Sequence, residues 1–135
     1  MASLILAGCG RVDGICQKRT MANLRTLGTL IESYHDELHS YPDPENLAKQ
    51  LTPTYLHNQA LLTDEWGRPI RYECWNEDPS TPGCDHYAVA SAGADGKFSP
   101  GSLRAVQEKS FTDVNEDIVY RDGKFVQYPK GTYNQ

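Results

Sequence analysis

Residues 20–41 read TMANLRTLGTLIESYHDELHSY, and this stretch decides the fold. Its large apolar residues recur at alternating steps of three and four: Leu24, Leu27, Ile31, Tyr34, Leu38 and Tyr41. That spacing places all of them on one stripe of an α-helix, while charged residues fill the opposite face. A helix with a single apolar stripe needs a surface to pack against, so we expect a sheet later in the chain.

The composition is typical of one globular domain. The chain has 135 residues, of which 39% are hydrophobic and 23% charged, and its formal net charge is −5. This length can bury a real core, and no basic cluster is present that would attract nucleic acid. We find no Ser/His/Asp or Cys/His set and no phosphate-binding loop. We therefore predict no enzymatic activity and no small-molecule substrate.

The segments after the helix predict a small antiparallel sheet. A short second helix is expected between Pro44 and Pro53. Apolar and polar residues alternate over 70–74 and 84–90, as they do in half-buried strands. Asp122-Gly123 predicts a tight hairpin between strands at 118–121 and 124–126. Residues 91–116 form a long loop, and the polar tail from 127 is expected to fray. The predicted fold class is thus α+β, with a long N-terminal helix packed on a small antiparallel sheet.

The N-terminal residues suggest lipidation. Leu6-Ala7-Gly8-Cys9 fits the lipobox of bacterial lipoprotein signal peptides, in which the cysteine receives the lipid. We therefore predict a signal remnant and tether over residues 1–19, a lipid anchor at Cys9, and a folded domain over 20–135. The alternative is a short disordered start with an unrelated cysteine. Lipidation would leave Cys16 unpaired, so a Cys9–Cys16 bridge is a competing account.

Several motifs follow one another in an order that resembles a known family. Ser40-Tyr41-Pro42 closes the helix, DEWGRPIRY occupies 64–72, YAVASAGADG occupies 87–96, and Glu116-Asp117-Ile118 follows. Over about residues 20–126 this resembles the soluble domain of the major pseudopilins of type II secretion systems. The resemblance implies a pseudopilin- or type IV pilin-like fold and a role in assembly of a periplasmic secretion filament rather than in catalysis. Its implied partners are other secretion-system or envelope proteins, on the periplasmic side of the bacterial cell envelope.

The pseudopilin resemblance also implies a structural calcium ion in the loop between strands. Calcium takes six to eight oxygen ligands, which a flexible loop with carboxylates and free carbonyls can supply. Asp95 would be the first ligand and Glu116 or Asp117 the second, and mutual repulsion in the acidic cluster would be relieved by a divalent cation. The full set of candidates is Asp95, Asp113, Glu116 and Asp117, with the main-chain carbonyls of Ala92 and Lys97. The alternative is a solvated acidic loop with an Asp-Gly turn.

Cys74 and Cys84 lie at the facing ends of two predicted strands. In an exported protein we expect them to form a disulfide, whereas in a cytosolic protein they would remain reduced thiols. Two further functional alternatives stay open. One is a stand-alone envelope lipoprotein that uses the same fold as a binding scaffold. The other is a small hydrolase, which the absence of a catalytic set disfavours.

Overall fold

One long helix, α1 (Asp13–Leu38), lies across a five-stranded sheet in the computed structural model, which describes residues 12–133. A short helix α2 (Leu47–Leu51) follows it, as the sequence predicts. The strands are β1 (Arg71–Trp75), β2 (His86–Ser91), β3 (Lys109–Phe111), β4 (Ile118–Arg121) and β5 (Lys124–Pro129), in the spatial order β1-β2-β4-β5-β3. The α+β class is therefore confirmed.

The prediction of a purely antiparallel sheet is wrong at one edge. Strands β1, β2, β4 and β5 pair antiparallel in turn, but β3 pairs parallel with β5, which makes the sheet mixed. The predicted fraying from residue 127 is also wrong, because β5 continues to Pro129 and aligns Gln127 with Lys109 of β3. β3 has only three residues, too few for alternation to be recognised in the sequence.

The helix begins earlier than the tether prediction allows. It starts at Asp13, and Cys16, Gln17 and Thr20 are already buried in it. The carboxylate of Asp13 lies in the first turn, where the helix dipole favours negative charge, and it accepts a hydrogen bond from the indole nitrogen of Trp66 at 3.1 Å. A contact made 53 residues away in sequence thus anchors the first turn of the helix.

The helix also ends three residues before the predicted Tyr41. Leu38 is the last helical residue, and His39 has the left-handed backbone conformation, with φ of 62°, that commonly ends helices. Tyr41 nevertheless belongs to the core side, because its ring packs on Tyr87 with centroids 4.8 Å apart.

The core between helix and sheet is made of large apolar side chains. Leu24, Leu27 and Ile31 of α1 are fully buried together with Tyr87 and Phe125 of the sheet. Close contact at this point requires a glycine in the helix: a Cβ added to Gly28 would lie 2.5 Å from Cε2 of Tyr120. The predicted apolar stripe therefore forms the buried face at Leu24, Leu27 and Ile31, but it is wrong at Leu38, which is 56% exposed where the helix ends.

The long segment 91–116 is ordered and covers the opposite face of the sheet. It contains a 3₁₀ turn, Leu103–Ala105, and the buried Leu103 packs with Ala88, Val119 and Val126. The guanidinium of Arg121 donates hydrogen bonds to three main-chain oxygens of this segment. They belong to Leu103 at 3.0 Å, Arg104 at 3.2 Å and Val106 at 2.8 Å. Two charged side chains of β1 also bind segment 91–116: Arg71 donates to the Gly101 oxygen, and Glu73 accepts from the Leu103 nitrogen.

The predicted disulfide between Cys74 and Cys84 is confirmed. Cys74 and Cys84 form a disulfide, with their Cα atoms 5.6 Å apart. Cys16 is buried and also disulfide-bonded. The predicted lipidation site, Cys9, and the rest of the lipobox pattern lie outside the described residues. Among residues 12–133, no helix is long and apolar enough to cross a bilayer.

Candidate calcium site

Two loops that are distant in sequence lie against each other at the end of β2 and the start of β4. The nitrogen of Ala94 donates to the oxygen of Val114 at 2.9 Å. Gly93 has φ of 78°, and a Cβ added to it would lie 2.6 Å from the oxygen of Glu116. Only glycine permits this close approach. The structure thus brings together the two segments, 92–97 and 113–117, in which the candidate ligands lie.

A buried aspartate explains the turn that precedes β1. Asp64 is 3% exposed, and its Oδ1 accepts hydrogen bonds from the main-chain nitrogens of Trp66 at 3.1 Å and Arg68 at 2.9 Å. Its Oδ2 accepts from the hydroxyl of Ser91 at 2.8 Å, and that hydroxyl oxygen accepts from the nitrogen of Gly93. Asp64 and Ser91 therefore fix the first loop. Both occur in the motifs used above, but their supporting role was not predicted from them.

Asp117 carries the most informative atom of the candidate site. The residue is 4% exposed, and its Oδ2 accepts a hydrogen bond from the nitrogen of Ser99 at 3.0 Å. Its main-chain oxygen accepts from the side-chain amide of Gln127 at 2.9 Å. Oδ1 of the same carboxylate is buried and has no hydrogen-bond partner in the described structure. A buried polar atom without a partner is costly and calls for a specific explanation, such as an ion.

The electrostatic surroundings of Asp117 are those of a crowded carboxylate. Burial raises the pKa of this carboxyl group, the hydrogen bonds from Ser99 oppose the rise, and the charges of Glu116 and Asp95 add to it. Both of these acidic side chains are therefore near enough to repel an ionised Asp117. A divalent cation among them would relieve the repulsion and favour the ionised form.

The remaining candidates differ in how they are used. Asp95 is exposed, and its Oδ1 accepts from the nitrogen of Lys97 at 2.9 Å, which closes a turn around the first loop. Glu116 forms an ion pair with Lys109 at 3.1 Å. Asp113 is exposed, and its Oδ1 accepts from the nitrogen of Asn115. Asp95 and Asp113 thus each accept a main-chain hydrogen bond within a turn, and Glu116 is paired with Lys109.

The calcium prediction requires a hard cation that is bound largely by main-chain oxygens. Within the described part of the chain, no three His, Cys, Asp or Glu side chains converge as a metal-binding group. A calcium ion here would need one or two carboxylates and several carbonyl oxygens, which is an ordinary composition for calcium sites. Ala92, which is buried, and the exposed Lys97 begin and end the first loop and are the predicted carbonyl donors. The unpartnered oxygen of Asp117 makes this carboxylate the best-suited ligand of the set.

Comparison with models of known protein families finds no match to this chain.

Proposed function

We propose that this protein is a non-enzymatic, pseudopilin-like component or relative of a type II protein-secretion machinery. It works on the periplasmic side of a bacterial envelope, where it contacts other secretion-system or envelope proteins. The observation that carries the proposal is the pairing of loop 92–97 with loop 113–117 beside a long helix on a largely antiparallel sheet. These are the segments on which the resemblance to pseudopilins depends.

A structural calcium ion completes the proposal. Asp117 and Asp95 hold the ion, with main-chain oxygens of Ala92 and Lys97, and Glu116 contributes negative charge nearby. The support for this assignment is the buried, unpartnered Oδ1 of Asp117 in a loop rich in carboxylates. The ion's role is to bind the two loops to each other and so to fix the end of the sheet. It takes no part in a reaction.

Calorimetric titration of the full chain with calcium tests the site. The intact protein and Asp113→Asn should both bind calcium, because asparagine at 113 preserves the turn to the nitrogen of Asn115. Asp117→Asn and Asp95→Asn should each lose most of the affinity. The exposed Asp95 keeps the test valid if the buried substitution disturbs folding. Absence of calcium binding by the intact protein, or equal binding by all four proteins, would refute the site.

Deletion of the gene in the source bacterium tests the secretion role. We expect proteins that normally leave the cell to accumulate in the periplasm. Expression of Asp113→Asn should restore their release, and expression of Asp117→Asn should not. Unchanged secretion after deletion would refute the proposal and favour the alternative, a stand-alone envelope lipoprotein that uses the fold as a binding scaffold.

The proposed lipid anchor at Cys9 has a direct competitor. A cysteine whose sulfur carries a lipid cannot also form a disulfide, and the disulfide-bonded state of Cys16 favours the bridge between the two cysteines. The intact mass of protein isolated from membranes distinguishes these accounts. An acylated N-terminal cysteine with one free thiol supports the anchor, and two disulfides without added acyl mass support the bridge.

A further inference from the structure

One imidazole of the sheet faces carboxylates at both of its ring nitrogens. His86, the first residue of β2, has Nδ1 2.9 Å from Oδ2 of Asp122. Its Nε2 lies 3.2 Å from Oε1 of Glu77 and 3.7 Å from Oδ1 of Asp85. A neutral imidazole donates from only one nitrogen, whereas the imidazolium donates from both. Only the protonated ring can therefore make favourable contacts on its two sides at once.

The carboxylates come from different parts of the fold. Asp122 belongs to the turn between β4 and β5, and its Oδ1 accepts from the nitrogen of Tyr87 at 3.0 Å, which holds it in place. Glu77 belongs to the loop closed by the Cys74–Cys84 disulfide, and its side chain is 72% exposed. The two sides of His86 thus join the disulfide loop to the β4–β5 turn.

Trp75 and Arg104 also lie beside this cluster of charged groups. The ring of Trp75 in β1 stacks on the imidazole, with centroids 5.7 Å apart. On the 3₁₀ turn, the guanidinium of Arg104 lies 3.9 Å from Oε2 of Glu77. Glu77 therefore has a second cation available, and Asp122 has a main-chain donor. Neither carboxylate would be left without a partner if His86 lost its charge.

We propose that His86 is a proton-dependent clamp that binds the disulfide loop, residues 75–84, to the β4–β5 turn and releases the loop when the ring becomes neutral. The proton that leaves is the one on Nε2, and it passes to solvent. Nδ1–H continues to donate to Asp122. The deprotonated Nε2 then has only a lone pair, which cannot donate a hydrogen bond to the carboxylates of Glu77 and Asp85. Glu77 then keeps Arg104 as its cation, and the disulfide loop loses its side-chain contact with the imidazole, while the pairing of Trp75 with His86 in the sheet persists.

The titration of the histidine supports this geometry. Partial burial by itself lowers the pKa of His86, but the hydrogen bond and charge of Asp122 and the charges of Asp85 and Glu77 outweigh that effect. The pKa is therefore raised above its ordinary value. Because the folded-state pKa is the higher one, the clamp's stabilisation is complete below the ordinary histidine value of about 6.5 and is lost as the pH rises through the folded-state pKa.

Hydrogen exchange of the full oxidised chain, corrected for the intrinsic pH dependence of exchange, tests the clamp. Between about pH 5 and about pH 8, protection of residues 76–83 should fall about two- to fivefold, the range of an exposed ion pair. His86→Gln should abolish this change, because glutamine does not titrate. His57→Gln, which alters an exposed histidine outside the cluster, should leave it intact.

A nuclear magnetic resonance titration of the imidazole completes the test. Glu77→Gln should lower the pKa of His86 and give a loop that exchanges at the fast rate throughout the pH range. The clamp would be refuted if the intact protein showed pH-independent loop protection, if His86→Gln retained the change, or if the pKa of His86 lay at or below its ordinary value. Calcium binding plays no part in these measurements.

Discussion

The two faces of the same sheet are covered in different ways. On one face, α1 buries a continuous set of large apolar side chains that includes Leu27 and Ile31. On the other face, an irregular segment packs through a smaller apolar cluster around Leu103 and is also bound by hydrogen bonds from charged side chains, chiefly Arg121, to its main-chain oxygens. Apolar packing is non-directional and depends on area, whereas charged hydrogen bonds depend on geometry and on individual atoms.

This difference predicts different responses to mutation. Loss of an apolar side chain under α1 should weaken the whole domain, because helix and sheet share one core. Loss of a charged side chain on the other face should release the covering segment while helix and sheet persist.

Leu27→Ala should produce the largest loss of stability. The side chain is fully buried in the core, so its truncation should lower the free energy of unfolding by about 2–5 kcal/mol, as measured in urea. Thr26→Ala, on the exposed side of the same helix, is the matched control and should change it by roughly 0.5 kcal/mol or less. Equal effects of the two substitutions would contradict the assignment of the helix's buried face.

Arg121→Met should act locally on the opposite face. Methionine keeps the unbranched apolar stem of the side chain but removes the donors to Leu103 and Val106, and each charged hydrogen bond contributes about 1.5–3 kcal/mol at most. We expect hydrogen exchange to accelerate in residues 101–108 while the amides of β2 and β4 keep their protection. Arg104→Met, on the exposed turn itself, is the control. Uniform loss of protection throughout the domain would show that the two faces are not separable.

Ionisation of Tyr41 should give the smallest effect, and only in alkali. Burial, together with the charges of Glu32, Asp122, Asp36 and Asp85, raises the pKa of Tyr41 from 10.0 to about 12. Because the folded-state pKa is the higher one, stability is unaffected below the unfolded-state value and declines as the pH rises toward the folded-state value. Burial also raises the pKa of Tyr72 and Tyr87, so ultraviolet absorbance should show several late-titrating phenolates, with one fewer titrating near pH 12 in Tyr41→Phe. An unchanged titration curve in that variant would contradict the prediction.

The features that could be predicted from the sequence are those that depend on local patterns. The apolar stripe of α1, the hairpin at Asp122-Gly123 and the Cys74–Cys84 disulfide follow from local periodicity, turn chemistry and strand ends, and all three are present. These features depend on residues that are near in sequence or on one repeating period. They therefore leave a signal that can be recognised without coordinates.

What was missed depends on contacts between distant segments. β3 is defined by its pairing with the end of β5, and the first turn of α1 is anchored by a hydrogen bond between Asp13 and the distant Trp66. The role of Asp117 was open because its hydrogen bonds come from Ser99 and Gln127, which are distant in sequence. His86 gave no signal at all, since its carboxylate partners come from separate turns and loops.

Thermal unfolding of the full oxidised chain, with calcium and with excess chelator, tests the central claim most directly. At 100 times the dissociation constant, a bound ion adds about 2.7 kcal/mol, which should raise the melting temperature by roughly 5–10 °C. The intact protein and Asp113→Asn should show this rise. Asp117→Asn should show none, even if removal of the unpartnered oxygen stabilises the calcium-free protein. A melting temperature of the intact protein that does not respond to calcium would contradict the account of the paired loops as a metal-bound clamp.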